Sequence, residues 1–68
     1  MTDSVTNHVH EIRTAAEITQ EELAAKIGVS RQTIIAIEKG NYVPSVLLAL
    51  RIAKFFKQPV EKIFSLSS

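Results

Sequence analysis

Apolar residues along the chain recur at helical rather than strand spacing. Val9, Ile12 and Ala16 are three and four residues apart and share one face of a helix that starts near Asn7. "ITQEEL" then supplies a capping box. Thr19 is placed to accept from the backbone N–H of Glu22, and Glu22 to reach back to Thr19. The helix that follows turns Leu23, Ala24 and Ile27 inward and meets Gly28, which tolerates a left-handed turn. Ser30 is the next capping residue, and a third helix is expected from Arg31 to Lys39, stopping at Gly40. Asn41 to Pro44 form a loop. Ser45 caps a fourth helix through Phe56, with Leu48, Ala49, Ile52 and Phe56 facing in. Pro59 breaks that helix and opens a short fifth, Val60 to Phe64. "IFSLSS" at the end alternates only weakly. The pattern predicts an all-α domain of five short helices, residues 7–68, behind a loose polar arm, residues 1–6.

The third helix contains two adjacent isoleucines, and neighbouring residues on a helix point about 100° apart. With Arg31 at 0°, Ile37 falls near roughly 240° and Ile34 near roughly 300°, while Ile35, Lys39, Gln32 and Ala36 fall between roughly 40° and 140°. Ile34 and Ile37 therefore form the core face. Arg31, Gln32, Ile35, Ala36 and Lys39 form the outward one. A helix face led by Arg and Gln suits the major groove of DNA, where Arg pairs bidentately with guanine and Gln with adenine. A plain solvated face has the same composition, so the assignment needs its surroundings.

Composition narrows the field. Sixty-eight residues make one small domain whose core is marginal, so a partner subunit helps it. A hydrophobic fraction of 46% is that of a globular chain. No apolar run approaches the roughly 20 residues that cross a bilayer, and "MTDSVTNHVHEIR" lacks the pattern of a secretory signal; the expectation is a cytoplasmic protein with no membrane partner. There is no cysteine, hence no disulfide and no thiolate metal site. His8 and His10, two apart on a helix, do not face each other, so no metal is expected. No catalytic triad, paired carboxylates or glycine-rich phosphate loop stands out, and neither an enzyme nor a cofactor is expected. Net charge is only +1, so any case for nucleic acid rests on where the charges sit.

Two helices joined at Gly28, with small Ala24 at their crossing and Val29, Ile34 and Ile37 holding the second across the first, suggest a helix-turn-helix. "ITQEELAAKIGVSRQTIIAIEKG" resembles the pattern "LTQEELAxKxGVSRQTIxxIExG" of Cro/CI-type regulators, the XRE family. "YVPSVLLALRIAKFF" and "PVEKIF" extend the likeness from Asn7 to Phe64, and it is closest to short stand-alone members. The chain departs from the family pattern at Glu17 and Lys57, where many members carry a helix-ending glycine. It departs again at Ile35 and Leu47, where a polar residue is usual.

The resemblance implies a lambda-repressor-like five-helix fold with helices 2 and 3 as the reading unit. It implies a homodimer that binds a palindromic double-stranded DNA operator as a repressor, with no small-molecule effector evident. Arg31, Gln32, Ile35 and Ala36 would then contact bases, the two apolar ones reading the thymine methyl. Gln20, Lys39, Asn41 and Tyr42 would contact phosphates, with Tyr42 alternatively a loop anchor packed on the core. Arg13 and Glu38 resemble a partly buried ion pair of some members; Arg13 could also reach a phosphate. Ile63, Phe64 and Leu66 are candidates for the dimer interface, as in the C-terminal segments of similar proteins, although Ile63 and Phe64 could instead close the monomer core. Two other uses of the module stay open: an antitoxin or restriction-modification control protein, and an interaction module that has lost DNA binding.

Overall fold

Helix signals in the sequence are met by helix caps in the structure. In this computed structural model, residues 3–67 are described. α1 spans Val9–Ala15, α2 Gln20–Ile27, α3 Arg31–Glu38 and α4 Val46–Phe56. The capping box is closed in both directions, Thr19 Oγ1 accepting from Glu22 N–H at 3.0 Å and Glu22 Oε1 from Thr19 N–H at 2.8 Å. Ser30 and Ser45 cap α3 and α4 by accepting from the N–H groups of Thr33 and Leu48. Each cap satisfies an N–H that the first helical turn leaves without a partner.

The all-α, five-helix expectation is overturned at both ends of the chain. Ser4–Asn7 is a strand, β1, not part of a loose arm, and it pairs antiparallel with β2, Phe64–Ser67. The expected fifth helix is one 3₁₀ turn, Val60–Lys62, after which the chain extends into β2. The register sets Val5 opposite Leu66 and Thr6 opposite Ser65, whose hydroxyls lie 3.0 Å apart. Asn7 explains why the helix starts only at Val9. Its side-chain oxygen accepts from Val9 N–H at 3.1 Å, and its amide donates to the Ile37 carbonyl at 2.9 Å. One side chain thus ends β1, starts α1 and ties both to the last turn of α3.

Val9, Leu23, Ile34, Ile37, Ile52 and Ile63 are completely buried, and Ala24, Ile27, Leu48 and Ala53 nearly so. Ala16, expected on the inner face, is exposed because α1 ends one residue before it; Ala49 and Phe56 are half-buried.

All four α-helices end in the same motif, α2 at Gly28. In each, a residue one or two places beyond the helix takes a left-handed conformation and the N–H groups there fold back onto the last turn. Asn41 N–H donates to Ala36 O and Gly40 N–H to Ile37 O at the end of α3. Glu17 and Ile18 do this after α1, and Lys57 and Gln58 after α4. Gly40 takes the conformation freely, but Glu17 and Lys57 hold φ of 59° and 56° with a Cβ in the way. Lys57 is exposed and engages only through its backbone. Lys57→Gly is therefore expected to stabilise the domain by about 0.5–1 kcal/mol, relief of left-handed strain outweighing the extra unfolded-state freedom of glycine. Thermal unfolding checks this; a lower melting temperature in the variant would show that Lys57 makes a favourable contact through its side chain.

Candidate nucleic-acid interface

The sharp joint between α2 and α3 follows from three residues. Gly28 sits at φ +79°, a conformation that penalises any other side chain, and both Gly28 and Val29 donate to the Ala24 carbonyl. Ala24, 3% exposed, is small enough to let α3 pack across α2. Ile34 and Ile37, both 0% exposed, pin α3 to the core. Rotation of α3 is then fixed, and its other face is set outward.

On that face Arg31, Gln32 and Lys39 are exposed, while Ile35 and Ala36 are half-buried. Ile35 is thus less exposed than the helical angle alone suggests. A cleft of about 370 Å³ separates the start of α2 from the start of α3, lined by Thr19, Gln20, Glu21 and Arg31. It brings together the N-terminal residue of each helix. Asn41 and Tyr42 follow α3 and are exposed, Tyr42 at 44%. The tyrosine is not a buried anchor.

Beneath this face lies an ionic network. Arg13, only 8% exposed, grips Glu38 with two donors, Nε to Oε2 at 2.6 Å and Nη2 to Oε1 at 3.2 Å. Its Nη1 donates to the Ile18 carbonyl at 2.8 Å, so the guanidinium is held inside the protein. Gln20 Nε2 donates to Glu38 Oε1 at 3.1 Å, and His10 Nδ1 lies 3.3 Å from the same oxygen. Glu38 therefore joins α1, the start of α2 and the end of α3. Burial pushes its carboxyl up, but hydrogen bonds from Arg13, Gln20 and His10 outweigh that and hold it below the usual carboxylate range. Neutralised in this way, Glu38 does not oppose an approaching anion. Gln20, expected to hold a phosphate, has one amide N–H committed to Glu38 and keeps the other. Sequence spacing carries no sign that Gln20 and His10 belong to this network, since they lie 18 and 28 residues from Glu38.

The three residues expected at a subunit contact separate. Ile63 is 0% exposed and packed in the monomer's own core, so it has no surface to offer a partner. Its carbonyl accepts from His8 N–H at 2.9 Å as the chain enters β2. Phe64 is half-buried against the core, and Leu66 is 71% exposed.

A DNA-binding class is defined by this arrangement: a short outward helix, crossed over a second at a left-handed glycine, with cationic and amide side chains at its tip. Residues 9–63 match the family model described as Helix-turn-helix (HTH_3). An HTH-type transcriptional regulator of Methanocaldococcus jannaschii, MJ0272, is 59% identical over 58 residues, 85% of this chain and 88% of that protein. The cryptic phage CTXphi transcriptional repressor RstR of Vibrio cholerae is 33% identical over 84% of this chain, which spans about half (51%) of the repressor. Among solved structures, the restriction-modification controller protein C.AhdI of Aeromonas hydrophila superposes with a TM-score of 0.74 at 28% identity, covering 79% of this chain and 82% of that one. The chain belongs to the helix-turn-helix family of XRE-type, DNA-binding transcriptional regulators. Among the described residues, no helix is long and apolar enough to cross a membrane.

Proposed function

We propose that this chain is a sequence-specific repressor that binds a palindromic double-stranded DNA operator as a homodimer. The observation that carries the reading is the fixed rotation of α3: Ile34 and Ile37 locked in the core, Arg31 and Gln32 outward at its tip. In this reading Arg31 and Gln32 pair with base edges. Half-buried Ile35 and small Ala36 offer apolar surface to a thymine methyl beside them. Lys39, Asn41, Tyr42, the free amide N–H of Gln20 and the backbone N–H groups at the start of α2 set the register on phosphates. Two-fold symmetry places the two α3 helices about 34 Å apart, one turn of DNA. The repressor named among its relatives favours repression; the likeness to a restriction-modification controller keeps a second reading, in which the same chemistry serves a control protein.

The test is selection of binding sites from random duplex DNA, followed by variants on the selected operator. Arg31→Ala is expected to cost about 1–3 kcal/mol per half-site and to relax preference at one base pair. Lys39→Ala is expected to weaken all sequences alike and lower the salt slope by about one for each phosphate that Lys39 neutralises. Equal weakening of operator and random DNA by Arg31→Ala would make Arg31 a phosphate contact. Recovery of no preferred sequence would sink the DNA-reading proposal and leave an interaction module.

A further inference from the structure

The seam between the end of α2 and the second half of α4 is concave. Ala25 carries only a methyl group and Gly28 no side chain, so the wall of α2 is low there and a cleft of about 560 Å³ opens beside it. Residues 25–28 form one side, and Arg51, Lys54 and Phe55 the other. Spacings of three and four put these last three on one face of α4. Phe55 is half-buried, meets Phe56 edge to face with ring centroids 5.0 Å apart, and gives the cleft an aromatic wall. Lys26, Arg51 and Lys54 stand exposed around it.

Charge in this cleft is one-sided. Three of the chain's eight basic residues line it, against the two, Arg31 and Lys39, on the outward face of α3, and no acidic residue lines it. Among the described residues, none of the three takes part in an ion pair. Glu22, one turn before Lys26, acts on it only at a distance, because its carboxylate is taken up by the Thr19 N–H. Helix ends account for part of the arrangement. Lys26 and Lys54 stand in the last turns of α2 and α4, and Arg51 Nη1 donates to the Ile27 carbonyl at 3.4 Å. Two helix ends carry about half a negative charge each, so about two of the three positive charges are left uncompensated.

We infer that this cleft is a binding site for a small phosphate monoester carrying a flat ring, the phosphate held by Lys26, Arg51 and Lys54 and the ring lying against Phe55. A phosphate monoester brings about 1.5–2 negative charges at neutral pH, close to the number left over. Arg51 suits it, because a guanidinium with Nη1 drawn to the end of α2 keeps further donors for phosphate oxygens. The volume falls within the range of about 300–1,000 Å³ found for small-molecule sites, and an apolar wall with a few placed polar groups is their usual lining. The site stands apart from the proposed DNA contacts. It lies at the opposite end of α2 from Gln20, about 12 Å along the helix, and shares no residue with the cleft between the starts of α2 and α3.

Amide chemical shifts of the full chain without DNA, followed during titration with adenosine monophosphate and with phenyl phosphate, test the site. Both esters are expected to move the amides of residues 25–28 and 51–55 saturably, with dissociation constants of about 1 mM or below. Adenosine and inorganic phosphate each lack one half of the ligand and are expected to bind at least about tenfold more weakly. Lys26→Gln and Lys54→Gln, both at exposed positions, should each weaken the esters about three- to tenfold by removing one charge-assisted contact. Lys62→Gln removes the same charge from the exposed 3₁₀ turn and should change binding by less than about twofold. Unchanged circular dichroism spectra would show that all three variants fold. No saturable movement of these amides by either ester up to about 10 mM, inorganic phosphate binding as well as the esters, or equal losses in Lys26→Gln and Lys62→Gln would each overturn the proposal. Movement of the same amides by random duplex DNA, with no response to the esters, would overturn it too and assign the three cations to nucleic acid.

Discussion

Glu38→Ala is expected to cost the domain about 3–5 kcal/mol, because it leaves a buried guanidinium without the carboxylate that balances its charge. Arg13 is 8% exposed, and once Glu38 is gone it keeps only the Ile18 carbonyl, 2.8 Å from Nη1, and His10 Nδ1, 3.2 Å from Nη2. Gln20 and His10 lose the same acceptor. For a chain of this length, total stability of about 0.05–0.15 kcal/mol per residue makes that loss at least about a third of what there is. The double replacement Arg13→Met, Glu38→Leu is expected to recover much of it, since apolar groups of similar volume remove the unpaired charge as well as the pair. Urea unfolding of the single and double variants measures both; a Glu38→Ala variant within about 1 kcal/mol of wild type would mean that water reaches Arg13. Acid supplies an independent check. Glu38 is held below the usual carboxylate value of 4.5, so the folded state binds its proton less readily than the unfolded chain. Its stabilisation is complete above that value and fades as pH falls through the lower folded one. Wild type should lose stability with acid below about pH 4.5 more steeply than Glu38→Gln. A residual slope should remain from Glu11 and Glu22, which hydrogen bonds to His8 and to the Thr19 backbone and side chain also hold down.

That network shows where a sequence can be read and where it cannot. The helices are legible because their signals are local: Thr19, Ser30 and Ser45 stand at the position whose N–H groups need capping, and Gly28 at the joint that needs a left-handed residue. The rotation of α3 is legible too, from the three-residue spacing of Ile34 and Ile37. The ion pair joins residues 25 apart, and only the family pattern suggests it. The sheet gives almost no signal, because each strand is four residues long, too short for a period, and Thr6 and Ser65 meet across 59 residues. Ile63 reads as the inner edge of a helix or of a dimer contact; the structure buries it in the core after the 3₁₀ turn. The outward apolar face of α4, with Val46, Leu47 and Leu50 exposed, is hidden for the opposite reason. "VLLALRIAKFF" is apolar on nearly every side, and among its outward residues only Leu47 stands out, as a departure from the usual polar position.

The adjacent isoleucines of α3 should respond to truncation in opposite ways. Ile34 is 0% exposed and packed in the core, so Ile34→Ala removes buried methyl groups from a small core with little else to close the gap. The expected loss is about 2–5 kcal/mol, reaching the upper end if the surrounding side chains cannot collapse into the space. Ile35 is half-buried, so Ile35→Ala gives up part of its contact area but also gains helix propensity, and the net cost is expected to stay near or below about 1 kcal/mol. On DNA the order reverses. An Ile34→Ala variant that remains folded at low temperature keeps Arg31 and Gln32 at the same exposed positions and should retain its sequence preference. Ile35→Ala should lose discrimination at one thymine, the base whose methyl group is the apolar mark of the major groove. Replacing thymine by uracil at each operator position removes only that methyl. The position sought is one where uracil weakens wild type but not Ile35→Ala. If uracil affects both proteins alike everywhere, Ile35 does no reading, and the outward isoleucine of this pair serves only to shield the side of α3.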